Sequence, residues 1–285
     1  MKLGKLRDEN TAESYGLAMT FPSIDPVAFS LGPVAIRWYA LAYLAGFVLG
    51  WRLCMRLVRS RATPPLAQNY DDFLTWAVIG TVLGGRLGYI LFYNLPLYME
   101  HPLDALMVWH GGMAFHGGMM GVILAAIIYT RKHKLAFWQF ADPLAAVAPI
   151  GLFFGRLANF VNGELFGRVT DSPLGMVFPN GGDLPRHPSQ LYQAGMEGLL
   201  LFAVLMLLVK KTDWQSRHGL LSGVFLTGYG LARVTGELFR QPDPQLGFLF
   251  AGATMGQLLS LPMIGVGVWL VWRTKTGEKN GLVKQ

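Results

Sequence analysis

The sequence predicts an all-α membrane protein, a bundle of about seven transmembrane helices with a polar chamber in its outer-leaflet half. Three observations carry that prediction. Mean hydropathy is +0.37, with 52% of residues hydrophobic and only 14% charged, whereas a soluble domain carries charge on about a quarter of its residues. Apolar segments of about twenty residues, the length that spans a hydrocarbon core, recur along the chain. Basic residues collect in alternate loops between those segments.

The elements follow in order. Residues 1–20 read as a flexible tail. The first eighteen of them are polar, of mixed sign, and lack the apolar core of a cleavable signal. Met19 is a second candidate start. The expected spans are 34–56, 73–93, 112–130, 139–160, 189–209, 219–239 and 254–272, the first serving as its own insertion signal. The fourth is the weakest, because Pro143 and Pro149 interrupt it and Asp142 stands at its start, where it reads as an N-terminal cap. Broken helices persist in membranes where protein or a cavity satisfies the freed backbone groups. Residues 21–273 form a single transmembrane domain with no evident repeat, and 274–285 a basic tail. The lone Cys54 excludes an intramolecular disulfide and paired-thiol redox chemistry.

Charge sets the orientation. Arg52, Arg56, Arg59 and Arg61 surround the loop after the first span; Arg131, Lys132 and Lys134 follow the third. Lys210, Lys211 and Arg217 follow the fifth, and Arg273, Lys275, Lys279 and Lys284 the seventh. Residues 94–111 hold no Lys or Arg, and residues 162–187 only Arg168 and Arg186. By the positive-inside rule the N-terminus is external and the C-terminus cytoplasmic. The net charge of +7 is then mostly topology and needs no nucleic-acid partner.

With that orientation, Tyr39, Arg86, His116, Arg156, Glu197, Tyr229, Arg233 and Glu237 all fall in the outer half of the bilayer. Charges at such depth are costly and mark functional positions. Tyr229, Arg233 and Glu237 recur at helical spacing on one face, Arg156 and Asn159 share another, and Gln190, Gln193 and Glu197 form a third polar stripe. Arg86, Arg156 and Arg233 balance Glu164, Glu197 and Glu237; His116 and Arg37 tip the chamber positive, which suits an anionic substrate.

Bland readings stand beside these. Arg233 and Glu237 also fit a structural ion pair, His116 a hydrogen-bonded core histidine, and Arg86, among the glycines of GGRLGY, a helix-packing residue. His101, His110 and His116 lack metal-ligand spacing, and no glycine-rich phosphate loop is present. No cofactor is expected. A retinal-binding protein would need a lysine inside a span, and every lysine lies in a tail or loop. A lipid or solute transporter using the same charges is the alternative, although the chain lacks the paired halves common in transporters.

Several blocks resemble one family in order: WYALAYLAGF (38–47), GGRLGYILFYN (84–94), MAFHGGMMG (113–121), GRLANFVNGELFGR (155–168), LPRHPSQLYQ (184–193), GYGLARVTGELFRQPD (228–243) and MGQLLSLPM (255–263). Together they are similar to the prolipoprotein diacylglyceryl transferases of bacterial inner membranes, from about Phe21 to Trp272. Ala158 departs from a usual glycine and Gln193 from a common glutamate. The resemblance implies phosphatidylglycerol as donor and the lipobox cysteine of a prolipoprotein signal peptide as acceptor, in contact with membrane lipids and with no nucleic acid. It implies His116, Arg156 and Arg233 as catalytic residues. It implies Tyr39, Arg86, Asn159, Glu164, Gly167, Glu197, Tyr229 and Glu237 as substrate-binding residues, with no metal.

Overall fold

Backbone polar groups in hydrocarbon have only one another as partners, so long apolar runs close into helices. The structure, a computed structural model, describes residues 19–282 apart from 23, 33, 60–62, 108–110, 243–248 and 250–251. The tail expected over 1–20 therefore lies outside the described residues except for Met19 and Thr20. In chain order come strands β1 (Met19–Thr20), β2 (Val27–Leu31) and β3 (Val34–Arg37), then helices α1 (Trp38–Val58) and α2 (Ala67–Tyr93). The short α3 (Leu95–Glu100) and a 3-10 turn (Pro102–Leu106) lead to α4 (Phe115–Lys132) and α5 (Phe137–Val161). Strand β4 (Met176–Val177), α6 (Ser189–Lys211), α7 (Leu220–Glu237) and α8 (Met255–Leu282) complete the chain.

The molecule is mostly helical. Among the described residues, α1, α2, α5, α6 and the Met255–Lys275 part of α8 are long and apolar enough to cross a membrane. α4 and α7 are helices of 18 residues each but are not among these. His116, Arg131 and Lys132 lower the hydropathy of the first, and Arg233 and Glu237 that of the second. Outward faces of the long helices carry Leu83, Leu87, Leu124, Leu231 and Leu261, all more than half exposed, while Gln190, Gln193 and Glu197 are at most 1% exposed. Apolar outside and polar inside is the inverse of a water-soluble core and fits a lipid solvent.

Two expectations need correction. The first helix begins at Trp38, because residues 34–37 pair as β3 with β2 in an antiparallel hairpin. α5 runs unbroken through Pro143 and Pro149 and starts at Phe137, so Asp142 is not its cap. Asp142 is instead buried and its Oδ2 accepts a hydrogen bond from Gly219 N–H at 2.7 Å, receiving the turn that leads into α7. The irregular helix is α6, which is π-helical over Ala194–Leu200. Such segments cluster at functional sites.

The chain packs as two compact units. One comprises residues 51–145 and 215–219. It holds an aromatic cluster in which Phe140 lies 4.7 Å from Tyr70, 5.1 Å from Phe73 and 5.5 Å from Tyr129 by ring centroids. Its α2 and α4 touch along Gly80, Gly84, Gly88, Gly117 and Gly121, so closely that a Cβ at Gly84 would sit 2.8 Å from Gly121 Cα. Small residues allow such backbone contact between membrane helices.

The other unit comprises residues 1–50, 146–214 and 220–285. In it α7 lies against α8, and β1 pairs in parallel with β4, tying the N-terminal strand to the long loop between α5 and α6.

Candidate active site

Five elements of this second unit converge on a charged centre. From α5, Arg156 directs Nε (3.0 Å) and Nη2 (2.9 Å) at one oxygen, Oε2, of Glu197 in the π segment of α6. The Glu197 side chain is fully buried and that of Arg156 nearly so. In α7, Arg233 Nη2 lies 2.6 Å from Glu237 Oε1 one turn later, and Arg240 Nη1 is 4.0 Å from the same oxygen. Tyr229, one turn before Arg233 and itself buried, is within electrostatic reach of Arg156, Glu197 and Arg233. Ion pairs this deep are held by geometry, since desolvation opposes them unless their hydrogen bonds are satisfied.

Here satisfaction is partial. Among the described residues, Arg233 Nη1, Glu197 Oε1, Gln190 Oε1 and Gln193 Nε2 are buried without a hydrogen-bond partner. A buried unpaired donor or acceptor costs about 1–3 kcal/mol, more when charged. Four of them in one region mark a centre organised for something other than its own stability.

The loop after α5 supplies the remaining groups. Asn159 Nδ2 donates to Glu164 Oε1 at 2.8 Å, and Asn162 Nδ2 to the same oxygen at 3.4 Å. Tyr39, at the start of α1, is hydrogen-bonded to Asn159 and stands 3.3 Å from Tyr43 Oη. The corner at Glu164 is strained. Leu165 adopts φ 57°, a left-handed conformation costing an L-residue about 1–2 kcal/mol. Gln190 Nε2 donates to Glu164 O (2.6 Å) and Ser189 Oγ to Leu165 O (3.0 Å), which holds the corner in place.

Gly167 has a packing reason to be glycine. A Cβ there would lie 2.5 Å from Phe239 O and 2.6 Å from His187 O. Its N–H donates to His187 O at 2.8 Å, and it bridges antiparallel to Arg240. Burial holds the His187 imidazole below its ordinary value.

Arg86 belongs to the unit formed by residues 51–145 and 215–219. Its Nε donates to Ala105 O (2.9 Å), its Nη1 to Gly111 O (2.5 Å) and Gly112 O (3.3 Å), and its Nη2 to Asp104 O and to Met107 O (3.2 Å). All five guanidinium donors are thus spent on loop carbonyls, so in this arrangement Arg86 organises the segment between α3 and α4. His116 falls in the first turn of α4; its side chain lies outside the described residues.

Sequence reasoning passed over Arg168 and Arg240. Arg168 Nε donates to Arg240 O (3.1 Å) and Nη2 to Glu237 O (3.3 Å), capping the end of α7. A signal was there: Gly-Glu-Leu-Phe occurs at both 163–166 and 236–239. The two copies are joined where Arg168 N–H donates to Phe239 O at 2.8 Å and Gln241 N–H to Phe166 O at 3.3 Å.

Fold and site together define a multi-pass membrane protein built around buried, incompletely paired arginines and carboxylates. The family model of prolipoprotein diacylglyceryl transferase matches residues 26–273. Curated relatives named phosphatidylglycerol–prolipoprotein diacylglyceryl transferase agree. That of Azospirillum brasilense is 61% identical over 90% of this chain and 96% of its own. That of Paramagnetospirillum magneticum is 58% identical over 92% and 98%, and that of Rhodospirillum centenum 54% identical over 90% and 94%. The chain belongs to the prolipoprotein diacylglyceryl transferase family.

Proposed function

We propose that this transferase moves the diacylglyceryl group of phosphatidylglycerol onto the lipobox cysteine of a prolipoprotein signal peptide, and that its charged centre does the chemistry. The observation that carries this assignment of the site is Arg233 Nη1, a buried guanidinium donor without a partner among the described residues, in a centre that also holds Arg156. A phosphate oxygen is the complement of such a donor, since planar guanidinium groups bind phosphate with charge-assisted hydrogen bonds.

The reaction then runs as a displacement at carbon. The cysteine sulfur attacks the glyceryl carbon that bears phosphate, the thioether forms, and the carbon–oxygen bond breaks with its electron pair passing to the phosphate oxygen. Glycerol phosphate departs. Arg156 and Arg233 stabilise the charge growing on that oxygen, while Glu197 and Glu237 orient the two guanidinium groups. Tyr39, Asn159, Glu164 and Tyr229 supply the surrounding hydrogen bonds, and Gly167 and Arg86 act through the loops they hold. His116 takes the thiol proton, imidazole being matched to neutral pH.

A lipobox peptide incubated with the protein and phosphatidylglycerol gains the mass of a whole diacylglyceryl unit on its cysteine. A single acyl chain on that cysteine would indicate attack on an ester carbonyl. No adduct would favour transport, which makes no covalent product.

The reading includes a seven-span topology, with α4 and α7 crossing the bilayer beside the five more apolar helices. The N-terminus is external, the C-terminus cytoplasmic, and the polar chamber opens to the outer leaflet of the bacterial inner membrane. The clustering of Lys and Arg in alternate loops supports it. In a Cys54→Ala background, single cysteines at Asp104 and Gly181 are expected to react with an impermeant thiol reagent in intact spheroplasts, and those at Thr63 and Lys132 are not. Labelling at 132 from outside would overturn the orientation.

A further inference from the structure

The Arg233–Glu237 pair has a neighbour that contributes no side chain. Gly256 lies in the first turn of α8, where a Cβ would sit 2.8 Å from Glu237 Oε1, 2.9 Å from Glu237 Cδ and 3.1 Å from Arg233 Nη2. Separations under 3 Å require something to move. The flexible end available to move is the carboxylate that holds the guanidinium.

The backbone on the other side is fixed. Thr254 N–H donates to Gln257 Oε1 (3.0 Å) and Gln257 N–H to Thr254 Oγ1 (3.3 Å), a capping box that sets the start of α8. Ser260 Oγ donates to Gly256 O at 2.7 Å. One turn along, a Cβ at Gly230 of α7 would lie 3.2 Å from Ser260 O, so the two helices are already in close contact there. Retreat of α8 from the pair would open that helix contact.

Glycine at this place runs against helix preference, which favours alanine by about 0.5–1 kcal/mol in a helix interior. It also puts the positive end of the α8 dipole next to the Glu237 carboxylate, a favourable arrangement for a buried anion. We propose that Gly256 is a positioning residue of the transfer reaction: its missing side chain lets the capped start of α8 seat on the Arg233–Glu237 pair and fix the guanidinium where the phosphate leaves. The inference rests on the transferase reading above.

The test measures initial rates with phosphatidylglycerol micelles and a lipobox peptide, together with thermal midpoints in the same detergent. Gly256→Ala is expected to lower kcat by about tenfold to a hundredfold, the scale of a small misplacement at a reacting centre, with its midpoint at or above the wild-type value. Gly265→Ala is the control on the same helix, because no described residue lies within 4 Å of a Cβ there; it keeps its rate, with a midpoint likewise at or above the wild-type value. Glu237→Asp retracts the carboxylate and, placed in the Gly256→Ala chain, raises its rate. Wild-type turnover in Gly256→Ala, a loss that accompanies a fallen midpoint or failed folding, or no relief from Glu237→Asp would each overturn the proposal. A wild-type protein that forms no product would overturn the transferase reading instead.

Discussion

Arg233→Lys is expected to fold normally and to lose turnover by about a hundredfold to a thousandfold, the range seen when one donor to a developing oxyanion is removed. Lysine keeps the charge and loses the planar fork. In the structure one arm of that fork, Nη2, is taken by Glu237 Oε1, and the other, Nη1, has no partner among the described residues. An ammonium on a shorter reach cannot satisfy the carboxylate and a phosphate oxygen in the same geometry. The measurement is the rate of diacylglyceryl-peptide formation alongside a thermal midpoint. Arg233→Ala combined with Glu237→Ala is expected to stay inactive; recovered activity in that double variant would return the pair to a structural role.

A second large effect is expected on stability. Glu197→Ala removes the carboxylate that both Nε and Nη2 of Arg156 use, and leaves a buried guanidinium without that ion pair. Breaking a buried ion pair from one side costs about 3–5 kcal/mol. Replacing both members, Arg156→Met with Glu197→Leu, removes the stranded charge and is expected to recover most of the lost stability with none of the activity. Denaturation midpoints in detergent give the first quantity and peptide modification the second. A double variant no more stable than Glu197→Ala would show that the π segment needs its carboxylate for some other reason.

Much of the fold was legible because hydrocarbon permits so few solutions. A run of about twenty apolar residues has helix as its one way to satisfy its backbone, and α1, α2, α5, α6 and α8 follow. What escaped had local causes. Residues 34–37 are as apolar as the helix they precede, but a turn at Gly32, with φ 59°, directs them into a hairpin. Pro143 and Pro149 suggested a break that α5 does not show, while no residue type announces the π turn of α6. The candidate site was read from residue types at expected depth, and Arg156, Asn159, Glu164, Glu197, Tyr229, Arg233 and Glu237 lie in one unit. Pairings were not. That Arg156 chooses Glu197 from another helix, and that Arg86 spends its donors on a loop, depends on tertiary placement that spacing along one helix does not encode.

The polarity of α7 also bears on how the protein is made. A helix carrying Arg233 and Glu237 has a poor partition free energy by itself, as its absence from the most apolar helices reflects. α8 is apolar enough to insert and meets α7 backbone to backbone where a Cβ at Gly223 would lie 2.8 Å from Gly267 O. On the proposed seven-span topology, the two segments are then expected to leave the insertion machinery together as a helical hairpin, with the Arg233–Glu237 charges neutralised before they meet lipid. The charged centre would therefore be the last part of the chain to become committed to the membrane.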